Sequence, residues 1–291
     1  MHRALFCHCY GHSLNLATSD AIKGCKVVSD ALDTTFDISK LIKFSPRREG
    51  LFENIKKELA PDSPGLRVLC PTRWTVRGES LQSVINNYSV LQEVWDECLE
   101  SRLQPDIRSR VIGVQAQMQK FNFIFGVILG ERILKHADNL SKTLQHRDLS
   151  AAEAQAIAEL RIKTLQMMRN DEAFSLFWEL VKLTASKFDV GDPLLPRRRK
   201  VPQRYEVGRA EPEFSSSPEA LYKTMYFEAL DLVVNCIKAR FHQLGYVTYK
   251  NLEELLIHAV NRKESEEKFK LVTEFLRVRL CEFCESDLGL A

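Results

Sequence analysis

The chain has 291 residues, 45% of them hydrophobic, which is enough apolar material for one large core or two small ones. The formal net charge of +2 excludes a strong global field that attracts nucleic acid, so any DNA contact must come from a local patch. No run of 18 apolar residues is present, and we therefore expect no membrane span. Eight cysteines scattered along a chain of this length predict free thiols rather than a disulfide framework.

Apolar residues recur at intervals of three and four along most of the chain, which predicts a mostly α-helical protein. The first stripe, over 14–32, predicts one long helix, and the stripe over 81–98 predicts another. Residues 121–130 are apolar on almost every side and indicate a buried helix centre, although periodicity alone leaves a buried strand open. Further helices are predicted to begin at Asp171 and after the N-cap pair Ser217-Pro218.

Two stretches interrupt the helical pattern. Residues 66–70 are short, apolar and followed by Pro71, which predicts a β-strand. Residues 189–217 contain four prolines, two glycines and a run of serines, which predicts a long loop. Inside that loop four consecutive cations lie between two prolines. They are Arg197, Arg198, Arg199 and Lys200, and they form a candidate nuclear-import signal or phosphate contact. The alternative is an ordinary solvated loop whose charges are balanced by nearby glutamates.

Two short motifs stand out before residue 80, Cys9-x-x-His12 and Arg73-Trp74. Cys9 and His12 have the spacing of half a zinc site, and Cys281-x-x-Cys284 would complete it only if the chain ends meet. The alternative is structural, with the cysteine packed in the core and the histidine bonded to backbone across a turn. Trp74 could stack on an unstacked base while Arg73 binds phosphate, or it could pack beneath the next helix.

In this order the two motifs resemble the middle of the hAT-family DNA transposases. The resemblance implies a ribonuclease-H-like core interrupted by a helical insertion domain. On this chain it implies a partial α/β core remnant over 1–78 and the helical insertion domain over 79–291. It also implies that Cys9 and His12 are structural and that Trp74 lies near bound DNA. Short segments are similar to the zinc finger MYM-type protein 1-like group of domesticated hAT elements, at 70–74, 195–200, 204–205, 226–231 and 249–255.

The hAT family cleaves DNA with three separated carboxylates, two of them before the CxxH motif and the third after the insertion domain. Residues 1–8 contain no acidic side chain, and no later segment matches the surroundings of the third carboxylate. Metal-dependent cleavage needs carboxylates that hold two cations, so we expect no catalytic residue, no metal and no cofactor. The expectation is a truncated, inactive, nuclear hAT transposase-like protein that binds DNA or a related transposase-derived protein. A helical protein-interaction scaffold without DNA binding is the alternative.

Overall fold

The computed structural model describes residues 10–68, 77–144, 151–196 and 215–257, together with Lys270 and Glu274. This part of the chain is a set of packed α-helices, which confirms the mostly helical prediction. In chain order the helices are α1 Tyr10–Gly24, α2 Lys26–Lys43, α3 Pro46–Leu59, α4 Arg77–Asn86, α5 Tyr88–Glu100, α6 Pro105–Met118, α7 Phe121–Leu144, α8 Ala151–Met167, α9 Asp171–Lys187, α10 Pro218–Phe241 and α11 Leu244–Ile257. No helix in the described ranges is long and apolar enough to cross a membrane.

The α/β remnant expected at the N-terminus is not seen in the residues that the structure describes. Residues 10–12 are helical, and the described part of the predicted strand, 66–68, has no regular secondary structure. The backbone of Arg67 is bonded to side chains instead of to a neighbouring strand. Its N–H donates to Ser83 Oγ at 3.1 Å, and its carbonyl accepts from Ser39 Oγ at 3.4 Å. Side chains of α2 and α4 thus take the place of a sheet partner.

The helix predicted over 14–32 is two helices, α1 and α2, which meet at Cys25. Cys25 has φ −98° and ψ 92°, an extended conformation that ends the helical path. The break allows the two halves of one apolar stripe to reach different partners, since α1 packs mainly on α10 and α2 mainly on α7. Burial of Cys25 raises the pKa of its thiol and keeps it protonated. Cys25, Cys98 and Cys236 are free thiols, as predicted.

Helix α7 lies at the centre of the fold and packs against α1, α2, α4 and α9. Residues 121–130 therefore form a buried helix, as predicted, and the strand alternative is wrong. The side chain of Phe125 packs on Tyr222 of α10 and Phe177 of α9, with ring centroids 4.7 Å and 5.4 Å apart. Burial of Tyr222 among these rings raises the pKa of its hydroxyl to about 12. The aromatic cluster joins three helices that are distant in sequence.

Two glycines allow neighbouring helices to approach α7 closely. A Cβ at Gly126 would lie against the carbonyl oxygen of Val27 and 2.9 Å from Ala31 Cβ, so α2 crosses α7 with its backbone almost in contact. A Cβ at Gly130, one turn later, would lie 2.9 Å from the end of Leu81 of α4. The absence of a side chain at these two positions, four residues apart, therefore allows α2 and α4 to pack closely on α7.

The predicted helix starts and the predicted loop are confirmed where the structure describes them. Ser217 Oγ accepts a hydrogen bond from the N–H of Ala220 at 3.1 Å, and Pro218 is the first residue of α10. Asn170 caps α9 in the same way, because its Oδ1 accepts a hydrogen bond from the N–H of Ala173 at 2.7 Å. No helix or strand occurs at 191–196 or at 215–217, and the rest of the loop, 197–214, lies outside the described residues.

One hydrophobic core joins residues from both sides of position 78. Leu14, Val28 and Ile38 belong to the same buried cluster as Leu81, Phe125 and Tyr226. The division of the chain into 1–78 and 79–291 stays a prediction. The packing shows that α1 and α2 are integral to the helical body.

Candidate nucleic-acid interface

Most of the site residues predicted from sequence lie outside the described residues. This is true of Cys9, Arg73 and Trp74, of the run from Arg197 to Lys200, and of the cysteines at 281 and 284. His12 is described, and it is an exposed residue in the first turn of α1. The next residue, Ser13, is buried and bonds the hydroxyl of Tyr246 in α11. The structural role of Cys9 and His12 stays a prediction.

The residues on both sides of the segment 69–76, which carries Arg73 and Trp74, are fixed by described contacts. On one side, Arg67 donates its backbone N–H to Ser83 Oγ of α4. Its guanidinium also pairs with Glu79, which follows the segment. Ser83 Oγ in turn donates to the carbonyl of Ser80 at 2.8 Å. The described residues on the two sides of this eight-residue segment are thus tied to each other and to α4.

Asn87 holds the preceding residues in place, a role that the apolar stripe over 81–98 does not predict. It is fully buried, and its Nδ2 donates to the carbonyls of Pro64 and Ser83, each at 2.8 Å. Its Oδ1 accepts from Ser63 Oγ at 2.6 Å. Asn87 also separates α4 from α5, so the single helix predicted over 81–98 is wrong. The available signal was the pair Asn86-Asn87 inside an apolar stripe, because asparagine is a poor residue for a helix interior.

A groove begins where the segment 69–76 ends. Its walls include Lys23 of α1, Asp33 and Phe36 of α2, and Arg77 at the start of α4. Arg77 is three residues after Trp74, so the groove adjoins the predicted DNA-contacting pair along the chain. Lys23 and Arg77 bring two cationic side chains to this groove and Asp33 brings one carboxylate, and cationic side chains are the usual contacts of DNA phosphates. Phe36 is half-buried, with Lys40 Nζ 5.2 Å from its ring centre.

A larger groove lies at the α1–α2 junction, but its charges cancel. Lys26 and Lys120 line it together with Asp30 and Glu228. Lys26 already pairs with Asp30 at 3.1 Å, one helical turn away. Within the described ranges, no three His, Cys, Asp or Glu side chains are grouped as a metal ion would require. The groove lined by Lys23 and Arg77 is therefore the better candidate for an anionic ligand.

Residues 7–111 match the family model described as the ZBED1 RNase-like helical domain. This match supports a relationship to ZBED and other hAT-derived proteins over that segment. The segment covers roughly a third of the chain, and it contains both the CxxH and the Arg73-Trp74 motifs. A helical domain also agrees with the helices α1 to α5 that the structure places there. No solved structure matches the chain.

Proposed function

We propose that this chain binds DNA through Arg73 and Trp74 and the adjoining groove of Lys23 and Arg77. The observation that carries the proposal is the anchoring of the Arg73–Trp74 segment. The described residues on its two sides are joined by the Arg67–Glu79 ion pair, and Arg77, which directly follows the segment, lines a groove together with Lys23. This contact brings the two flanks of the segment together next to the start of α4. The match of residues 7–111 to a hAT-derived domain supports the same assignment.

The two residues have complementary roles in this proposal. The indole of Trp74 stacks on a base that is not paired, and the guanidinium of Arg73 binds the adjacent phosphate. Lys23 and Arg77 continue the phosphate contact along the groove. Because the whole chain carries a charge of only +2, these few cations supply most of the attraction for DNA. We therefore expect binding to single-stranded or splayed DNA ends rather than to intact duplex.

Binding measurements on variants test this proposal. The fluorescence anisotropy of labelled single-stranded DNA is titrated with the parent chain, Trp74→Ala, Arg73→Ala and the control Arg102→Ala. Arg102 is exposed between α5 and α6, so its removal lowers the net charge as much as Arg73→Ala does. We expect Trp74→Ala to weaken binding by about 1–3 kcal/mol, the scale of one base stack. Equal affinities for the parent chain and Trp74→Ala would contradict the role of Trp74.

In this proposal the protein binds DNA without cleaving it. We expect no strand cleavage or strand transfer by the purified chain with Mg²⁺ or Mn²⁺, because the sequence offers no recognisable carboxylate set for two cations. Cleavage that disappears when one of its own acidic residues is changed to the amide would overturn this expectation.

The cellular setting is also a proposal. The cation run from Arg197 to Lys200 directs the protein to the nucleus, where a DNA-binding relative of the zinc finger MYM-type protein 1-like group would act, alone or with a related transposase-derived protein. Replacing the four cations by alanine should shift a fluorescent fusion of the full chain towards the cytoplasm. An unchanged nuclear distribution of that variant would remove the role of this run.

A helical scaffold that binds other proteins is the second candidate. The near-neutral charge favours it, and so do three exposed leucines on α9. The salt dependence of DNA binding separates the two candidates, because each phosphate contact adds about 0.7 to the slope of log K against log salt for single strands. A slope near zero, or no binding at low salt, would favour the scaffold.

A further inference from the structure

Helix α9 has a second apolar stripe on the side that faces solvent. Leu176, Leu180 and Leu183 are 74%, 49% and 71% exposed. The opposite side of the helix is buried in the core through Phe174, Phe177 and Val181. Single exposed leucines are ordinary, but here three lie on one face of one helix. Sequence periodicity could not separate this stripe from the core stripe of the same helix.

Charged residues of opposite sign close the two ends of this stripe. Glu172 is in the first turn of α9 and Lys187 is in the last, and both are exposed. From Glu172 through the three leucines to Lys187 the steps are four, four, three and four residues. Steps of this length keep all five side chains on one face of a helix. We call this set of five residues the α9 face.

The α9 face is complementary to itself when two copies meet in antiparallel orientation. A two-fold axis between residues 179 and 180 sets Leu176 of one copy against Leu183 of the other, with Leu180 near the axis. The same axis brings Glu172 of each copy to Lys187 of the second copy. In parallel orientation, like charges would meet at both ends and repel each other. We propose that the α9 face binds the α9 face of a second copy of this chain, as an antiparallel two-fold dimer.

The dimer should be weak and reversible. Seventeen helical residues span about 26 Å, so one helix face alone falls short of the roughly 800 Å² that each partner buries in a stable interface. A shallow groove beside Leu180 adds contact area, because Ile85 of α4 and Ile128 of α7 line it together with that leucine. Reversible pairing of two copies would place two proposed DNA-binding segments in one assembly.

Sedimentation velocity of the full chain, over a concentration series into the hundreds of micromolar, tests the dimer. We expect a monomer–dimer equilibrium in the parent chain. The dissociation constant of the dimer should be about tenfold larger, or more, in Leu183→Glu. The matched control is Leu160→Glu, which changes a leucine of α8 that is 64% exposed and lies outside the α9 face. Circular dichroism of each variant verifies that the helices are intact.

Charge reversal tests the antiparallel geometry. Glu172→Lys and Lys187→Glu should each weaken the dimer, because each variant alone sets like charges together at both ends. An equimolar mixture of the two variants should dimerise about as well as the parent chain, since opposite charges meet again in the mixed pair. A mixture that dimerises far more tightly than the parent would contradict the antiparallel arrangement and indicate a parallel one.

Three other outcomes would overturn the proposal. The first is a parent chain that stays monomeric throughout the series. The second is a dimer that Leu183→Glu leaves unchanged, which would place the interface elsewhere. The third is a monomer in which Leu183→Glu lowers the thermal midpoint far more than Leu160→Glu does, which would show that the same chain covers the α9 face. None of these outcomes depends on DNA binding, so the dimer and the proposed function can fail separately.

Discussion

At the scale of single residues, Asn87 has the largest predicted effect on stability among the polar side chains at the base of the Arg73–Trp74 segment. Asn87→Ala removes three hydrogen bonds, among them the one that Nδ2 donates to the carbonyl of Pro64 at 2.8 Å. A typical intramolecular hydrogen bond contributes about 0.5–1.5 kcal/mol, so we expect the loss of these three to lower the free energy of unfolding by about 1–3 kcal/mol. Urea denaturation of the purified variant measures it.

The matched control for this prediction is the neighbouring asparagine. Asn86 is exposed at the end of α4, so Asn86→Ala should change the free energy of unfolding by less than about 0.5 kcal/mol. Equal losses in the two variants would show that the buried network does not hold the segment. The sequence could not reveal this difference, because the partners of Asn87 at Ser63 and Pro64 lie more than twenty residues away.

At the scale of helices, the close crossing of α2 over α7 depends on Gly126. In Gly126→Ala the added methyl would meet the backbone of Val27, which cannot rotate away, so we expect a loss of about 1–3 kcal/mol from overpacking. Gly130→Ala should cost less, because the atoms it meets are the ends of the flexible side chains of Leu81 and Val28. Thermal and urea denaturation rank the two variants.

The control for this crossing is Gly113 of α6, which has no atom within 4 Å of its would-be Cβ. Gly113→Ala should stabilise the protein by about 0.5–1 kcal/mol, the usual gain of alanine over glycine in an exposed helix. A stabilising Gly126→Ala would show that α2 and α7 are farther apart than described.

The sequence predicted which stretches are helical better than where the helices break. The stripes at 14–32 and 81–98 continue through Cys25 and Asn87 without a change of period, so periodicity gave one helix where the structure has two. At Cys25 the chain passes from α1, which packs mainly on α10, to α2, which packs mainly on α7. At Asn87 the side chain bonds Ser63 and Pro64, which are distant in sequence. Local signals sufficed at Ser217-Pro218, where the cap residues themselves end the loop.

At the scale of the whole molecule, the motifs indicated a relationship to hAT-derived proteins over residues 7–111. The residue pattern did not reveal the candidate groove. The Arg73-Trp74 and CxxH motifs lie inside the segment that matches a hAT-derived domain. The α/β remnant inferred from that resemblance is not seen in the described residues, where side chains of α2 and α4 bond the backbone at Arg67. Lys23 and Arg77 line one groove although 53 positions separate them, and only tertiary packing brings them together.

Tryptophan fluorescence tests the central claim most directly, because the chain has three tryptophans and two of them are in the core. Trp95 and Trp178 are 0% and 4% exposed, so a base that stacks on an indole can reach Trp74 but not these two. Titration with an unlabelled single-stranded oligonucleotide should quench the emission of the parent chain saturably and leave that of Trp74→Phe almost unchanged. Absence of quenching in the parent, or equal quenching in Trp74→Phe, would contradict the proposal that this protein holds DNA by stacking on Trp74.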